Sequence, residues 1–310
     1  MIELLKRFLQ LLRSYPIIVG FVGVVVIFTI LSDRFLTVSN MLNILRQISI
    51  NGTIAFGMTF VILSGGIDLS VGSVFAFSAV VGASVLQGGN VLPGILAALG
   101  VGAAFGAFNG VIIARMKLQP FIVTLATMAI ARSFTQAYSQ GRPITGFPDS
   151  FRQLGRGEFL GIPVPVFVMF GVFILVWYIL SNTKLGLYTY AIGGNEEATR
   201  LSGVKVIRYK ILIYTISGAL AALSGLILTA RLNSAQPTFG TGYELDAIAA
   251  VVLGGTSLFG GKGTIIGTLF GAMVMGIISN GMNLVSISPF YQQAVRGAVI
   301  LLAVMAERND

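Results

Sequence analysis

The sequence predicts an all-α, polytopic membrane protein with about ten transmembrane helices and both termini on the inner side. Three observations carry that expectation. Of the 310 residues, 55% are hydrophobic and only 10% charged, at a mean hydropathy of +0.90, whereas soluble domains carry roughly 25% charged residues. Apolar runs long enough to cross a hydrocarbon core follow one another along the chain. The Lys and Arg residues concentrate in alternate connecting segments.

The first run, residues 16–31, follows Lys6, Arg7 and Arg13 and ends in Ser32-Asp33-Arg34-Phe35. It has no small-residue cleavage site and reads as a retained span rather than a secretory signal. The second, 41–63, is interrupted by Arg46, Gln47 and Asn51; the third, fourth and fifth cover 70–87, 92–114 and 120–139. An outer segment, 139–162, carries Pro143, Pro148, Asp149, Arg152, Gln153, Arg156 and Glu158. It is either a connector or a docking surface, and its alternating charges with Leu154, Phe159 and Leu160 fit a short helix lying on the membrane surface. The sixth span is 163–180 and the seventh 210–231, separated by a polar loop at 191–206. The eighth, 244–259, is short and opens with Glu244 and Asp246; the ninth and tenth are 264–283 and 290–306, and the whole chain, 1–310, reads as one transmembrane domain.

Orientation follows from the excess of positive charge on the cytoplasmic side. An N-inside arrangement puts twelve basic residues inside: Lys6, Arg7, Arg13, Arg115, Lys117, Lys184, Arg200, Lys205, Arg208, Lys210, Lys262 and Arg308. Five fall outside, Arg34, Arg142, Arg152, Arg156 and Arg231, while Arg46, Arg132 and Arg296 lie within spans. Dropping the second and eighth spans would turn the 184–210 cluster outward, so ten spans are preferred to eight.

Composition removes whole function classes. With no Cys and no His, the chain has no disulfides, thiol chemistry, His-ligated zinc or Ser-His-Asp catalysis. The formal charge of +9 is read as an attraction to anionic membrane lipid rather than to nucleic acid. No metal site or resident cofactor is expected.

The loop Ala191-Ile192-Gly193-Gly194-Asn195-Glu196-Glu197-Ala198-Thr199-Arg200-Leu201-Ser202-Gly203-Val204 carries its own helix signals. Asn195 is a good N-cap, Glu196 and Glu197 suit the positive helix end, and Gly203 is placed to end the helix in a left-handed residue. It is either a plain joint between two spans or a handle for another protein. Gly102, Gly106 and Gly110, and likewise Gly267 and Gly271, recur at four-residue spacing. Such stripes let helices pack closely in lipid, within the chain or across a dimer. Gly65-Gly66-Ile67-Asp68-Leu69-Ser70-Val71-Gly72 and Gly254-Gly255-Thr256-Ser257-Leu258-Phe259-Gly260-Gly261 share the pattern Gly-Gly-x-x-Leu-x-x-Gly. Breaks of this kind are tolerated only against protein or a water-filled cavity. The stretch from Thr256 to Gly263 approaches a phosphate-binding loop but has Thr256 for its first Gly and Gly263 for its Ser or Thr, so any ATP, with its Mg²⁺, must be handled by another subunit.

Taken in order, three stretches resemble the ribose/xylose-type permease family of bacterial ABC importers, in the branch near the ribose permeases. They are Val61-Ile62-Leu63-Ser64-Gly65-Gly66-Ile67-Asp68-Leu69-Ser70-Val71-Gly72-Ser73, the 191–203 loop, and Gly242-Tyr243-Glu244-Leu245-Asp246-Ala247-Ile248-Ala249-Ala250-Val251-Val252-Leu253-Gly254-Gly255-Thr256-Ser257-Leu258. With Phe35-Leu36-Thr37-Val38-Ser39-Asn40, the likeness covers nearly the whole chain; Thr199 departs from it, standing where the family usually has Ala. The resemblance implies a bacterial inner-membrane importer for ribose or a similar monosaccharide. It implies two permease chains, read as a homodimer rather than a heterodimer, a cytoplasmic ATP-binding subunit and an extracytoplasmic sugar-binding protein. Gly194, Asn195, Glu196, Glu197, Arg200, Ser202 and Gly203 would then form the coupling element that the ATP-binding subunit moves.

Polar residues inside the spans are the remaining candidates. Asp68, counted to the inner interface, and Glu244 and Asp246, counted to the outer one, are pathway or structural candidates, with helix capping the favoured role; Arg46, Arg132 or Arg296 can neutralise them. Asn51, Asn109, Gln136, Asn280, Asn283 and Gln292 are the amides suited to sugar hydroxyls. Two other classes compete. An ion-coupled secondary sugar transporter would use midplane carboxylates or broken helices, and the capped helix and the few midplane acids argue against it. A membrane enzyme has no visible nucleophile, dyad or metal cluster. Within the family, xylose, galactose, autoinducer-2 or a nucleoside are alternative cargoes.

Overall fold

The computed structural model describes residues 16–307, and side-chain environments within 19–305. Lys6, Arg7, Arg13 and Arg308, which bear on orientation, lie outside the described residues. The chain is mostly helical. In order it forms α1 (Pro16–Leu31), α2 (Val38–Leu63), α3 (Val71–Leu86), α4 (Val91–Met116), α5 (Pro120–Ser139), β1 (Ile144–Thr145), α6 (Asp149–Arg156), β2 (Glu158–Phe159) and β3 (Ile162–Pro163). There follow α7 (Val164–Asn182), α8 (Lys184–Gly194), α9 (Glu196–Leu201), α10 (Val206–Leu232), β4 (Ser234–Ala235), α11 (Tyr243–Leu253), α12 (Ile265–Leu284) and α13 (Pro289–Glu307). A helix thus occupies each of the ten expected stretches. Among the described residues four, α4, α7, α10 and α12, are long and apolar enough to cross a membrane on length and composition.

The helices sort by how much of their surface the protein covers. α2 is buried almost without a break from Ile48 to Leu63, which marks a helix enclosed on all sides. Around it pack α10, α12, α11 and α7, while α4 lies along α10 and α3 between α4, α5 and α10. α7 carries Phe167, Phe170, Ile174, Leu175 and Trp177 on an exposed face, the pattern of a helix turned toward lipid. Arg46, Gln47 and Asn51 of α2 are not enclosed in the way of its other residues: all three are half-buried, Arg46 pairs with Glu158, and Gln47 and Asn51 face a polar cavity.

The glycine stripes lie on internal seams. A Cβ on Gly102 would fall 2.4 Å from Gly218 O, and one on Gly106 would fall 2.1 Å from Tyr214 O. Gly110 abuts Ile211 on the same helix, α10, and Gly271 comes within 1.9 Å of Ala250 O on α11 in the same sense. Contacts this close admit no side chain.

Two helices are short, and they change where the acidic residues sit. α11 has 11 residues rather than the expected 244–259, about 17 Å at 1.5 Å per residue, roughly half a hydrocarbon core. Gly255, at φ +79°, turns the chain away after Leu253, and a Cβ on Gly254 would strike Gly267. α3, with 16 residues, is preceded by non-helical chain over 64–70 that turns back from the end of α2 at Gly65, φ +77°. The N-termini of α3 and α11 meet: a Cβ on Gly72 would lie 2.2 Å from Gly240 O and 2.3 Å from Glu244 Oε2. Asp68 accepts a hydrogen bond from Ser217 Oγ at 3.3 Å, and Ser217 is near the middle of the 27-residue α10. Asp68 therefore stands level with the middle of α10 rather than at the end that span counting assigned, whereas Asp246 shares a cavity with Leu228 and Arg231 near the far end of α10. The count misplaced Asp68 because α3 begins midway, after a re-entrant stretch that an apolar window reads as span.

Small antiparallel ladders close the end bearing the 140–163 segment. β1 pairs with β4, with Ile144 opposite Ala235, and β2 pairs with β3 around a turn at Leu160 and Gly161, both at positive φ. α6 does form a short helix, and it is docked on the end of α10. Phe151 is buried, Arg156 Nε donates to Arg231 O at 2.7 Å, and Gly155 packs against Arg231.

Candidate functional site

Two regions at opposite ends of the bundle carry chemistry. At one end is α9. The Asn195 side chain accepts from Ala198 N at 2.9 Å, one of the bonds that satisfies an orphan helix-start N–H. Gly203 ends the helix at φ +84°, with Gly203 N donating to Arg200 O and Val204 N to Thr199 O, closure of the Schellman type. Thr199, the family departure, is buried and donates its hydroxyl to Asn195 O at 2.8 Å. Glu197 pairs with Arg200 Nε at 3.0 Å, and Glu196 pairs with Lys210 of α10. The Arg200 hydrogen bond holds the Glu197 carboxyl below its ordinary range. Both carboxylates are thus engaged within the chain while still exposed. Leu201, at 74% exposure, is the apolar residue the helix presents outward.

Behind α9 three glycine pairs converge. A Cβ on Gly193 would fall 1.8 Å from Leu63 O; one on Gly260 would fall 2.8 Å from Gly65 N and 2.9 Å from Gly193 Cα; one on Gly261 would fall 2.9 Å from Gly194 Cα. Gly261 N donates to Leu63 O at 2.9 Å, and Tyr190 Oη donates to Gly263 O at 3.0 Å. The stretch ahead of α9 is therefore seated on both chain breaks, the one entering α3 and the one leaving α11.

Between the ends, the start of α3 is held by a polar cluster. Asp68 Oδ1 accepts from Ser70 N at 3.0 Å and Ser70 Oγ at 2.6 Å. Asn109 donates to Ser70 Oγ at 2.9 Å and accepts from Thr127 at 2.6 Å. Arg132 donates to Pro237 O and Phe239 O at 3.1 and 2.8 Å, bracing the stretch that leads into α11. Asp68 and Asn109 are fully engaged in this scaffold.

At the end remote from α9, a cavity of about 200 Å³ opens between α2, α10, α11, α12 and α13. Gln47, Asn51, Arg231, Tyr243, Asp246, Ser279, Asn283 and Arg296 line it, with only Ile50 and Leu228 apolar. Arg296 Nε lies 3.0 Å from Asp246 Oδ1, an ion pair in which the N–H is not aimed at the oxygen. Both Asp246 oxygens, Arg296 Nε and Ser279 Oγ are buried without a hydrogen-bond partner among the described residues.

Of the sequence-predicted candidates, Asn51, Asn283 and Asp246 meet in this cavity. Asn280 does not: it forms a reciprocal amide pair with Asn40, 3.0 Å in each direction. Glu244 points to the α3–α11 contact instead and accepts from Gly242 N at 3.3 Å. Gln292 donates to Asn283 Oδ1 at 2.8 Å, and Gln136 is absent from the lining. Arg296 is the partner of Asp246, while Arg46 pairs with Glu158. Ser279, Tyr243 and Arg231 were not singled out, yet a signal existed. Gln47 and Asn51, Ser279 and Asn283, and Tyr243 and Asp246 are polar pairs three or four residues apart in apolar helices, the spacing of one helix face.

Comparison with known proteins places these features in a wider group. Residues 40–304 match the family model described as branched-chain amino acid transport system / permease component. The chain is 53% identical to ribose import permease protein RbsC of Bacillus subtilis (strain 168), over 94% of this chain and 91% of that one. It is 52% identical to ribose import permease protein RbsC of Escherichia coli (strain K12), over 94% and 92%. It is 40% identical to L-arabinose transport system permease protein AraH of the same strain, over 95% and 90%. No solved structure matches.

Proposed function

Because the chain belongs to the family of transport-system permease components, we propose that it is the transmembrane subunit of an ATP-driven importer that moves ribose or a similar monosaccharide into the cell. In this reading it crosses the bacterial inner membrane ten times with both termini inside, and pairs with a second copy of itself. The α9 end faces the cytoplasm, where a separate subunit binds and hydrolyses ATP; the cavity end faces the extracytoplasmic binding protein. The chain itself catalyses no reaction.

The single observation that carries the coupling role is the build of α9: a short exposed helix, capped at both ends and seated through close-packed glycines on both broken helices. A capped element transmits displacement where a flexible loop would absorb it. The substrate class rests on the relatives named for ribose and on the cavity. A lining of amides, carboxylate and guanidinium, with Ile50 and Leu228 the only aliphatic residues in it, suits hydroxyl groups.

Affinity purification of the tagged chain in mild detergent, followed by identification of co-purifying proteins, tests the assignment. An ATP-binding subunit retained by the wild type and lost on reversing Glu196 and Glu197 together is the expected result. One observation favours a second reading, an ion-coupled transporter: facing broken helices with buried Asp68 and Asp246 are features of such proteins. A chain that purifies alone and moves sugar in vesicles under an ion gradient would decide for it.

A further inference from the structure

We propose that the cavity lined by Gln47, Asn51, Tyr243, Asp246, Ser279 and Arg296 is a binding site for the monosaccharide within the permease itself, occupied after the sugar leaves its delivery protein and before it crosses the middle of the bundle. The proposal rests on the permease reading above and deepens it by assigning residues to the cargo.

Position comes first. Leu228 and Arg231 lie in the last turns of α10, Ser279 and Asn283 in the last turns of α12, Gln47 in the first half of α2 and Asn51 at its midpoint. The cavity thus opens at the end opposite α9 and reaches down to the middle of α2. Asn283 is exposed at the mouth, whereas Asp246, at 1% exposure, and Ser279, at 9%, form the floor. The floor stands at the N-terminus of α11, where the two short helices meet, so a sugar seated there rests against the part of the bundle that the glycine junction connects to α9.

The lining then selects the ligand. Asp246 Oδ2 and Ser279 Oγ are buried with no hydrogen-bond or ion-pair partner among the described residues, and Asp246 Oδ1 and Arg296 Nε have only their 3.0 Å ion pair, whereas buried polar groups are ordinarily hydrogen-bonded to protein, water or ligand. A bare cation would meet two guanidinium groups, Arg231 and Arg296, and an anion would meet the buried Asp246 carboxylate. A neutral polyol avoids both conflicts, since each hydroxyl donates as well as accepts. Adjacent hydroxyls can donate to the two Asp246 oxygens and accept from Arg296, the amides of Gln47 and Asn51 complete the ring of partners, and Tyr243 offers an aromatic surface to the C–H face. A volume of about 200 Å³ is below the roughly 300–1,000 Å³ of drug-sized pockets and suits a single sugar ring.

The test is equilibrium binding of radiolabelled D-ribose and L-arabinose to the purified full-length chain in nanodiscs, without binding protein. Saturable binding of at least one sugar is expected, weakened at least tenfold by Asn51→Leu and by Ser279→Val in samples that still elute as wild type. Because the chain has no cysteine, Asn283→Cys supplies a second readout: the sugar should slow its alkylation by a small maleimide. No saturable binding, or variants that bind as tightly as wild type, while the reconstituted complex takes up sugar, would overturn this site and leave the permease reading standing. Absence of uptake by the wild-type complex would instead count against the permease reading.

Discussion

Asp246 and Arg296 show most plainly how a single residue can be poorly legible in sequence. A carboxylate in an apolar helix announces itself, but its partner is fifty residues away and depends on where α13 crosses α11. Removing one member of a buried pair strands the other, at about 3–5 kcal/mol. Arg296→Met should therefore lower the thermal midpoint of the purified chain markedly, and adding Asp246→Leu should recover most of the loss; equal destabilisation by the single and double variants would deny the pairing. Asp68 behaves differently because its ligands are local. Asp68→Asn keeps an oxygen for Ser70 and should assemble, whereas Asp68→Ala loses the acceptor and should cost about 1–3 kcal/mol. Thermal denaturation of the two variants checks that order. The amides divide in the same way. Asn51 and Asn283 were recognisable as sugar candidates, but nothing in the composition of a helix tells Asn283, which faces the cavity, from Asn280, which is consumed by Asn40.

Elements were legible where their signals are local. α9 announces its start and stop in the sequence, and the structure makes the bonds those residues foretell: Asn195 to Ala198 N, and a left-handed Gly203. A valine at 203 would have to adopt a backbone conformation costing about 1–2 kcal/mol for an L-residue. Gly203→Val should accordingly reduce sugar-dependent ATP hydrolysis and uptake together while the binding protein still binds sugar normally; unimpaired uptake would remove the coupling role from this helix. The glycine junction was not legible, because Gly65-Gly66, Gly193-Gly194 and Gly260-Gly261 are remote in sequence and only folding brings them together. The two Gly-Gly repeats even play different parts, one leading into α3 and the other closing α11. Gly193→Val would drive side-chain atoms into Leu63 O. It should abolish uptake while the ATP-binding subunit still co-purifies, since the outward surface of α9 is untouched; loss of that subunit would place the junction in docking rather than transmission.

At the scale of the whole molecule, hydropathy located helices at every expected stretch but could not tell an enclosed helix from a lipid-facing one. α2, the most polar-interrupted stretch, is enclosed from Ile48 to Leu63, and α7, among the most apolar, shows much of its surface. Hydropathy measures what a segment tolerates, and an enclosed helix beside a polar cavity tolerates more. The charge pattern is a property of the whole bundle. Lys117 lies near Glu197 at the α9 end, while Arg46, Arg156 and Arg231 gather at the other. With no native cysteine, Ser150→Cys and Ser202→Cys should be labelled by impermeant maleimide from opposite sides of the membrane, Ser202→Cys from the cytoplasmic side; labelling from one side would contradict the arrangement. The central claim is that ATP hydrolysed by a separate subunit drives sugar through this chain. It is tested most directly by uptake of labelled D-ribose into proteoliposomes holding the chain and the ATP-binding subunit, with the binding protein outside and ATP or a non-hydrolysable analogue within. Accumulation with ATP and none with the analogue, whatever the ion gradient, is the expected result. Accumulation that follows an ion gradient and persists without the ATP-binding subunit would contradict it.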